Sequence, residues 1–214
     1  MKYICCVFLV LSLLACGQGK KYHKSESKTE LASSSAIVAI LDFQEELNLE
    51  YKDPETSPLP DRYRKNFDGL EFFKPDTNYI IVAKFERTPD AVPFLLATTT
   101  SRKTEELLYG IAHFELNGQE HELEIYQSLG LLDQEEYEDY LFLPFLDETN
   151  GEETYGGGRY IDLTIPEGET ITIDFNRAYN PYCAYNKKYS CPLVPRQNCL
   201  KTKVIAGVKD FIKK

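Results

Sequence analysis

The dipeptide Asn117-Gly118 most constrains what this 214-residue chain can fold into. Both positions of a two-residue hairpin turn take positive φ, which Asn and Gly tolerate best. Ala112, Phe114 and Leu116 alternate into the turn, and His121, Leu123 and Ile125 alternate away from it. A period of two puts each set on one face of an antiparallel pair. That register sets Phe114 opposite His121 and, on the other face, His113 opposite Glu122. Either histidine has the chemistry of a ligand or a base. No second histidine or cysteine follows at metal-ligand spacing, so ordinary sheet packing accounts for both.

The same period recurs elsewhere. From Tyr79 the residues Ile81, Ala83 and Phe85 share a face, and Leu141 to Phe145 is a short apolar strand. A strand over Tyr160 to Ile165 is expected to pair through Pro166-Glu167-Gly168 with Glu169 to Phe175. Ile161 would then face Ile173, Leu163 would face Ile171, and Asp162 and Asp174 would share the opposite side. Fifteen tyrosines against one methionine also favour sheet over helical bundle. Ahead of the strands, Ala36 to Glu50 reads as a helix with Ser35 as N-cap and Ile37, Ile40, Leu41 and Leu47 near one face. Three prolines between Asp53 and Pro60 end it. The expected fold is mainly β, an antiparallel barrel or sandwich of about eight short strands with one N-terminal helix.

The first residues carry an address. Lys2 is a positive n-region, and the apolar run Ile4 to Leu14 has 11 residues, whereas a spanning helix needs about 20. Leu13-Leu14-Ala15-Cys16 resembles the bacterial lipobox cut by lipoprotein signal peptidase. On that reading residues 1–15 are a signal peptide, Cys16 is acylated, and residues 16–35 form a polar tether. Residues 36–214 then form one domain in the cell envelope, anchored to a membrane by lipid, with the outer membrane favoured over the inner where a cell has both. Gly17 after the lipid site lacks the acidic residue that signals inner-membrane retention in enterobacteria.

Charge divides the domain. Residues 31–158 hold 9 Lys and Arg against 27 Asp and Glu, whereas residues 159–214 hold 10 against 5. The acidic excess argues against nucleic acid, whose phosphates require clustered cations. The densest acidic run, Asp133 to Glu153, lacks the ligand spacing of an EF-hand loop and reads as a solvated segment. The loop DETNGEETYGGG is followed by strand-like alternation where a phosphate cradle requires a helix, so no nucleotide cofactor is implied.

The runs FDGLEFFKPD, LFLPFLDETNGEETYGGGRYIDL, DFNRAYNPYCAYNKKYSCPLVP and IAGVK, between residues 67 and 214, resemble the family known as domain of unknown function 1684. The resemblance implies a shape and no activity. Cys199 after Asn198, and Val208, depart from its pattern. Within the third run Asp174, Asn176, Arg177 and Asn180 crowd a loop beside Arg159, which opens the neighbouring strand. A planar guanidinium matches a carboxylate or phosphate, so these five residues are the candidate site for a small polar or anionic ligand. The alternative is that an arginine pairs with Asp174 while the asparagines close backbone amides. With Cys5 and Cys6 in the leader and Cys16 acylated, Cys183, Cys191 and Cys199 remain. The family motif contains Cys183 and Cys191, and in an oxidising compartment it implies a disulfide between them. The expected function is a non-enzymatic, lipid-anchored binding or accessory module. Its rivals are an envelope hydrolase using Asp162 and Asp174 as acid and base, and a thiol or zinc protein using Cys183, Cys191 and Cys199.

Overall fold

The structure, a computed structural model, describes residues 28–211. The leader, Cys16 and the first part of the expected tether lie outside them. A long helix, α1 (Lys28–Lys52), precedes a short one, α2 (Asp61–Arg64). Seven strands follow: β1 (Ile80–Arg87), β2 (Phe94–Ala97), β3 (Lys103–Leu116), β4 (Gln119–Ser128), β5 (Tyr140–Phe145), β6 (Arg159–Thr164) and β7 (Thr170–Asp174). They form one antiparallel sheet in the order β6-β5-β4-β3-β1-β7, with β2 on the free flank of β3, curled into a half-barrel.

Helix α1 begins before the expected Ala36. Ser35 does not cap it; its hydroxyl bonds back to the Ala32 carbonyl at 2.8 Å, which lets the serine run stay helical. Ile40, Leu47 and Tyr51 are buried at helical spacing, while Leu41, one step round the helix, is half exposed. Past the C-terminus, Thr56 and Ser57 hydroxyls take the orphaned carbonyls of Glu50 and Tyr51.

The Asn117-Gly118 turn has both residues at positive φ, and the pairs Phe114–His121 and His113–Glu122 stand in the expected register. The expected hairpin between β6 and β7 does not form. β6 pairs with β5, and β7 pairs with β1 at the other edge, with Ile81 opposite Ile173 and Ala83 opposite Ile171. The linker's polar groups are drawn apart: Ile165 N–H donates to the Asp139 carbonyl and the Glu169 carbonyl accepts from Phe85 N–H of β1, while Pro166 has no N–H to offer. The inward facing of Ile161, Leu163, Ile171 and Ile173 is nevertheless as expected, since face depends on parity and not on partner. Their side chains join Phe85, Phe114, Leu123, Phe145 and Phe175 in the core. A second apolar cluster, with Leu47, Tyr51, Leu59, Leu70, Tyr185 and Val208, seats α1.

Two side-chain amides complete what the ladders leave open. β4 and β5 share a single paired position, Tyr126 with Phe142. Beyond it the Asn198 amide accepts from Glu124 N–H at 2.8 Å and donates to the carbonyls of Glu124 (2.8 Å) and Pro144 (2.7 Å). Asn176 does the same for Asp76, accepting from its N–H and donating to its carbonyl, both at 2.9 Å.

The deepest polar contact is an ion pair. Arg159, at the start of β6, and Asp147 are both wholly buried, with Nη2 and Oδ2 2.7 Å apart. The guanidinium also donates to the carbonyls of Val204 and Ala206, and Asp147 Oδ1 accepts from Thr149 and Val204 N–H. Gly158, at φ +90°, lets the chain enter this site; a Cβ there would meet the Phe145 carbonyl at 2.7 Å. Arg159→Met strands a buried carboxylate and two carbonyls. It is expected to lower unfolding free energy by about 3–5 kcal/mol in urea titrations, against under about 1 kcal/mol for a substitution at the exposed pair Lys203–Glu152.

Candidate functional site

A β-bulge at Tyr109 decides which face of β3 reaches the site. The register steps from Leu108–Tyr126 to Gly110–Ile125, so parity inverts there. Gly110 is required at this point, because a Cβ would lie 2.5 Å from the Phe85 ring. After the bulge Ala112 and Phe114 face the core; before it, Glu106 faces outward, opposite Ser128. The paired positions Tyr126–Phe142 and Phe142–Asp162 extend that outer face across β4, β5 and β6.

Walls rise around it. Tyr160 and Tyr179 exchange backbone hydrogen bonds at 2.9 and 3.0 Å, laying the loop after β7 along the outside of β6. The turn Leu129–Leu131 and Phe43, Leu47 and Glu50 of α1 close other sides. The result is a cleft of two adjoining lobes of about 500 and 400 Å³ that share Leu131, Tyr140, Tyr160 and Tyr179. Tyr140 also borders a third groove of about 780 Å³, the slit between the edge strands β6 and β7.

Tyrosine hydroxyls here point at protein acceptors. Tyr140 and Tyr179 both donate to Asp162 Oδ1, at 2.8 and 2.7 Å. Tyr160 donates to the Pro192 carbonyl, and Tyr182 to Glu50 at 2.6 Å. Burial pushes the hydroxyls of Tyr140, Tyr160 and Tyr179 far above the ordinary tyrosine range, so the protons stay in place. Glu106 is the deepest acid in the cleft, 1% exposed. Ser128 donates to its Oε2 at 2.7 Å, and no described cation lies within ion-pair distance. Desolvation raises its pKa against the opposing pull of Ser128, Thr104 and Arg102.

The residues singled out in the sequence separate. Arg159 has its guanidinium in the core, paired with Asp147 and not Asp174, and donating to two carbonyls. Asn176 and Asn180 are buried, and each donates to distant backbone, at Asp76 and Lys209. Asp174 Oδ1 accepts from the Asn176 backbone and side chain at 3.0 and 2.8 Å. Arg177 is exposed, with its guanidinium 4.8 Å from the Phe43 ring centre, and so braces α1. Asp162, Asp174 and Arg177 do border one groove, the β6/β7 slit.

Cys183 N–H donates to Cys191 Sγ at 3.2 Å, and Cys191 borders the cleft. The hydrogen bond from Cys191, with a further one from Tyr155, holds the Cys183 thiol below its ordinary value; the same bond and burial push Cys191 up. All three cysteines are free thiols in the structure, and Cys199 is exposed on the segment beside Leu146. No cluster of three or more His, Cys, Asp or Glu among the described residues is placed to hold a metal ion, so the three sulfurs do not make a zinc site.

Sequence reasoning missed Glu106 and the tyrosine frame. The signal was faint: Glu106 directly precedes Leu107-Leu108-Tyr109, and tyrosines cluster from 179 to 189. Residues 65–209 match the family model described as a protein of unknown function, DUF1684. The solution NMR structure of an uncharacterized protein of Haloarcula marismortui is similar at 30% identity and a TM-score of 0.66, covering 84% of this chain and 97% of that one. No curated protein matches.

The Glu106 environment generates a pH signature. A carboxyl whose pKa rises on folding stabilises the fold while protonated, and this contribution is lost as pH rises through the folded value. Glu106→Gln keeps the Ser128 hydrogen bond and removes the charge. The variant is expected to melt roughly 2–4 °C above the native chain at pH 8. The difference should vanish as pH falls below the carboxylate range, as followed by circular dichroism.

Proposed function

The chain belongs to the DUF1684 family, and from that premise we propose that it is a small-ligand binding module of the cell envelope, non-enzymatic and held on a membrane by lipid on Cys16. Its binding site is the tyrosine-lined cleft. The observation that carries this reading is Glu106, a buried acid with no ion-pair partner among the described residues, lining an open cavity. Burying an acid weakens a fold, so its place in a concave aromatic site points to a ligand that complements it.

Binding is favoured over hydrolysis. Asp162 holds two tyrosyl protons and Asp174 holds the Asn176 amides, so both acids of the rival reading are engaged locally. The anchor is supported by the charged, apolar and Leu-Leu-Ala-Cys pattern of the leader. In an oxidising envelope Cys183 and Cys191, already in contact, join as a disulfide beside the cleft.

Cells fed a clickable fatty acid should label the native chain and leave the Cys16→Ser form unlabelled; equal labelling of both, or of neither, removes the anchor. Intact mass of the exported chain should rise by two hydrogens on reduction, and Cys191→Ser should abolish the difference. A thermal-shift screen of small polar compounds should yield at least one that raises the melting temperature, and a flat response throughout would refute the binding reading.

A further inference from the structure

We infer that the ligand of this cleft is a small organic cation, an alkylammonium or guanidinium compound; the inference rests on the binding reading above and names the ligand class. The cleft is rich in acceptors and poor in donors. The hydroxyls of Tyr140, Tyr160, Tyr179 and Tyr182 donate to Asp162, Pro192 and Glu50, and Ser128 donates to Glu106. What faces an occupant is therefore carboxylate oxygen, tyrosyl lone pairs and aromatic faces.

Those are the groups that receive an ammonium or guanidinium ion. Glu106 supplies a desolvated charge from the floor of one lobe, and Asp162 and Glu50 border the other. Tyr140, Phe142, Tyr160 and Tyr179 supply rings for cation–π contact, which strengthens where water is excluded. The positive groups among the described lining residues are Arg102 and Lys103, in the lobe that holds Glu106. Arg102 is held there by the Ser190 hydroxyl at 3.1 Å and carbonyl at 2.6 Å. An anion entering the cleft meets Glu106 and Asp162. A neutral polyol finds acceptors for its hydroxyl protons, yet the hydroxyls of Tyr140, Tyr160, Tyr179, Tyr182 and Ser128 are already committed and cannot donate to its oxygens.

The test uses purified full-length chain in detergent, with thermal shift and calorimetry. The probes are choline, putrescine, spermidine and argininamide, beside glucose and sorbitol as neutral compounds and acetate and phosphate as anions. At least one cation is expected to bind, with Glu106→Gln and Asp162→Asn each weakening it about tenfold or more. Glu106→Gln is expected to fold at least as stably as the native chain, so a loss of affinity there is a loss of recognition. Binding of glucose, sorbitol, acetate or phosphate that Tyr160→Leu removes, with no response to any cation, would overturn the cation class and leave the cleft as a binding site. A cation whose affinity both acid variants leave unchanged sits elsewhere and also overturns it. Silence from all three sets would remove the binding reading as well.

Discussion

The Arg159–Asp147 ion pair ties the half-barrel to the last described stretch of chain. A guanidinium and a carboxylate with no exposure to solvent are tolerable only where nearly every donor and acceptor is matched, and here the matching groups come from the segment Val204–Ala206. The pair therefore does two things at once. It closes the junction between the end of β5 and the start of β6, and it fixes the last stretch of chain against the core. Val204 and Ala206 are themselves fully buried, so the polar knot is enclosed in apolar packing that keeps water from competing for its hydrogen bonds.

The cleft follows from a second local irregularity. Without the bulge at Tyr109, an unbroken alternation along β3 would turn Glu106 into the core or Ala112 out of it. One extra residue satisfies both ends of the strand, and Gly110 permits it by leaving room for the Phe85 ring. The pairing of Tyr160 with Tyr179 walls one side of the outer face that Glu106 joins. The two faces of the sheet are thus separable. The core face of β3 to β6 carries the packing, while the opposite face of the same strands carries the acids and rings.

What the sequence made legible was what local physics determines. The Asn117-Gly118 turn, its register, the inward parity of Ile161 and Ile173, and the helix around Ile40 and Leu47 all follow from side-chain period and turn chemistry. The partners of β6 and β7 did not, because a Pro-Glu-Gly linker is compatible with both a hairpin and a crossing to the far edge. The choice is made by Asp139 and Phe85, remote in the chain. The partners of the candidate site residues were hidden for a related reason. Arg159, Asn176 and Asn180 carry ligand-binding chemistry, and nothing local reveals that Asp147, Asp76 and Lys209 already occupy it. Glu106 looked like one acid among many because a bulge is invisible to a strict two-residue period.

The side-chain amides that stand in for ladder bonds have a kinetic meaning. Asn176 closes onto Asp76, and Asn198 onto Glu124 and Pro144, joining segments far apart in sequence. Synthesis is vectorial, so every strand of the sheet leaves the ribosome before Asn198 and Val204 exist to complete it. A nascent chain of this protein therefore holds an unfinished sheet until Asn198 and Val204 have followed the last strand, which delays cooperative folding beyond the synthesis of β7.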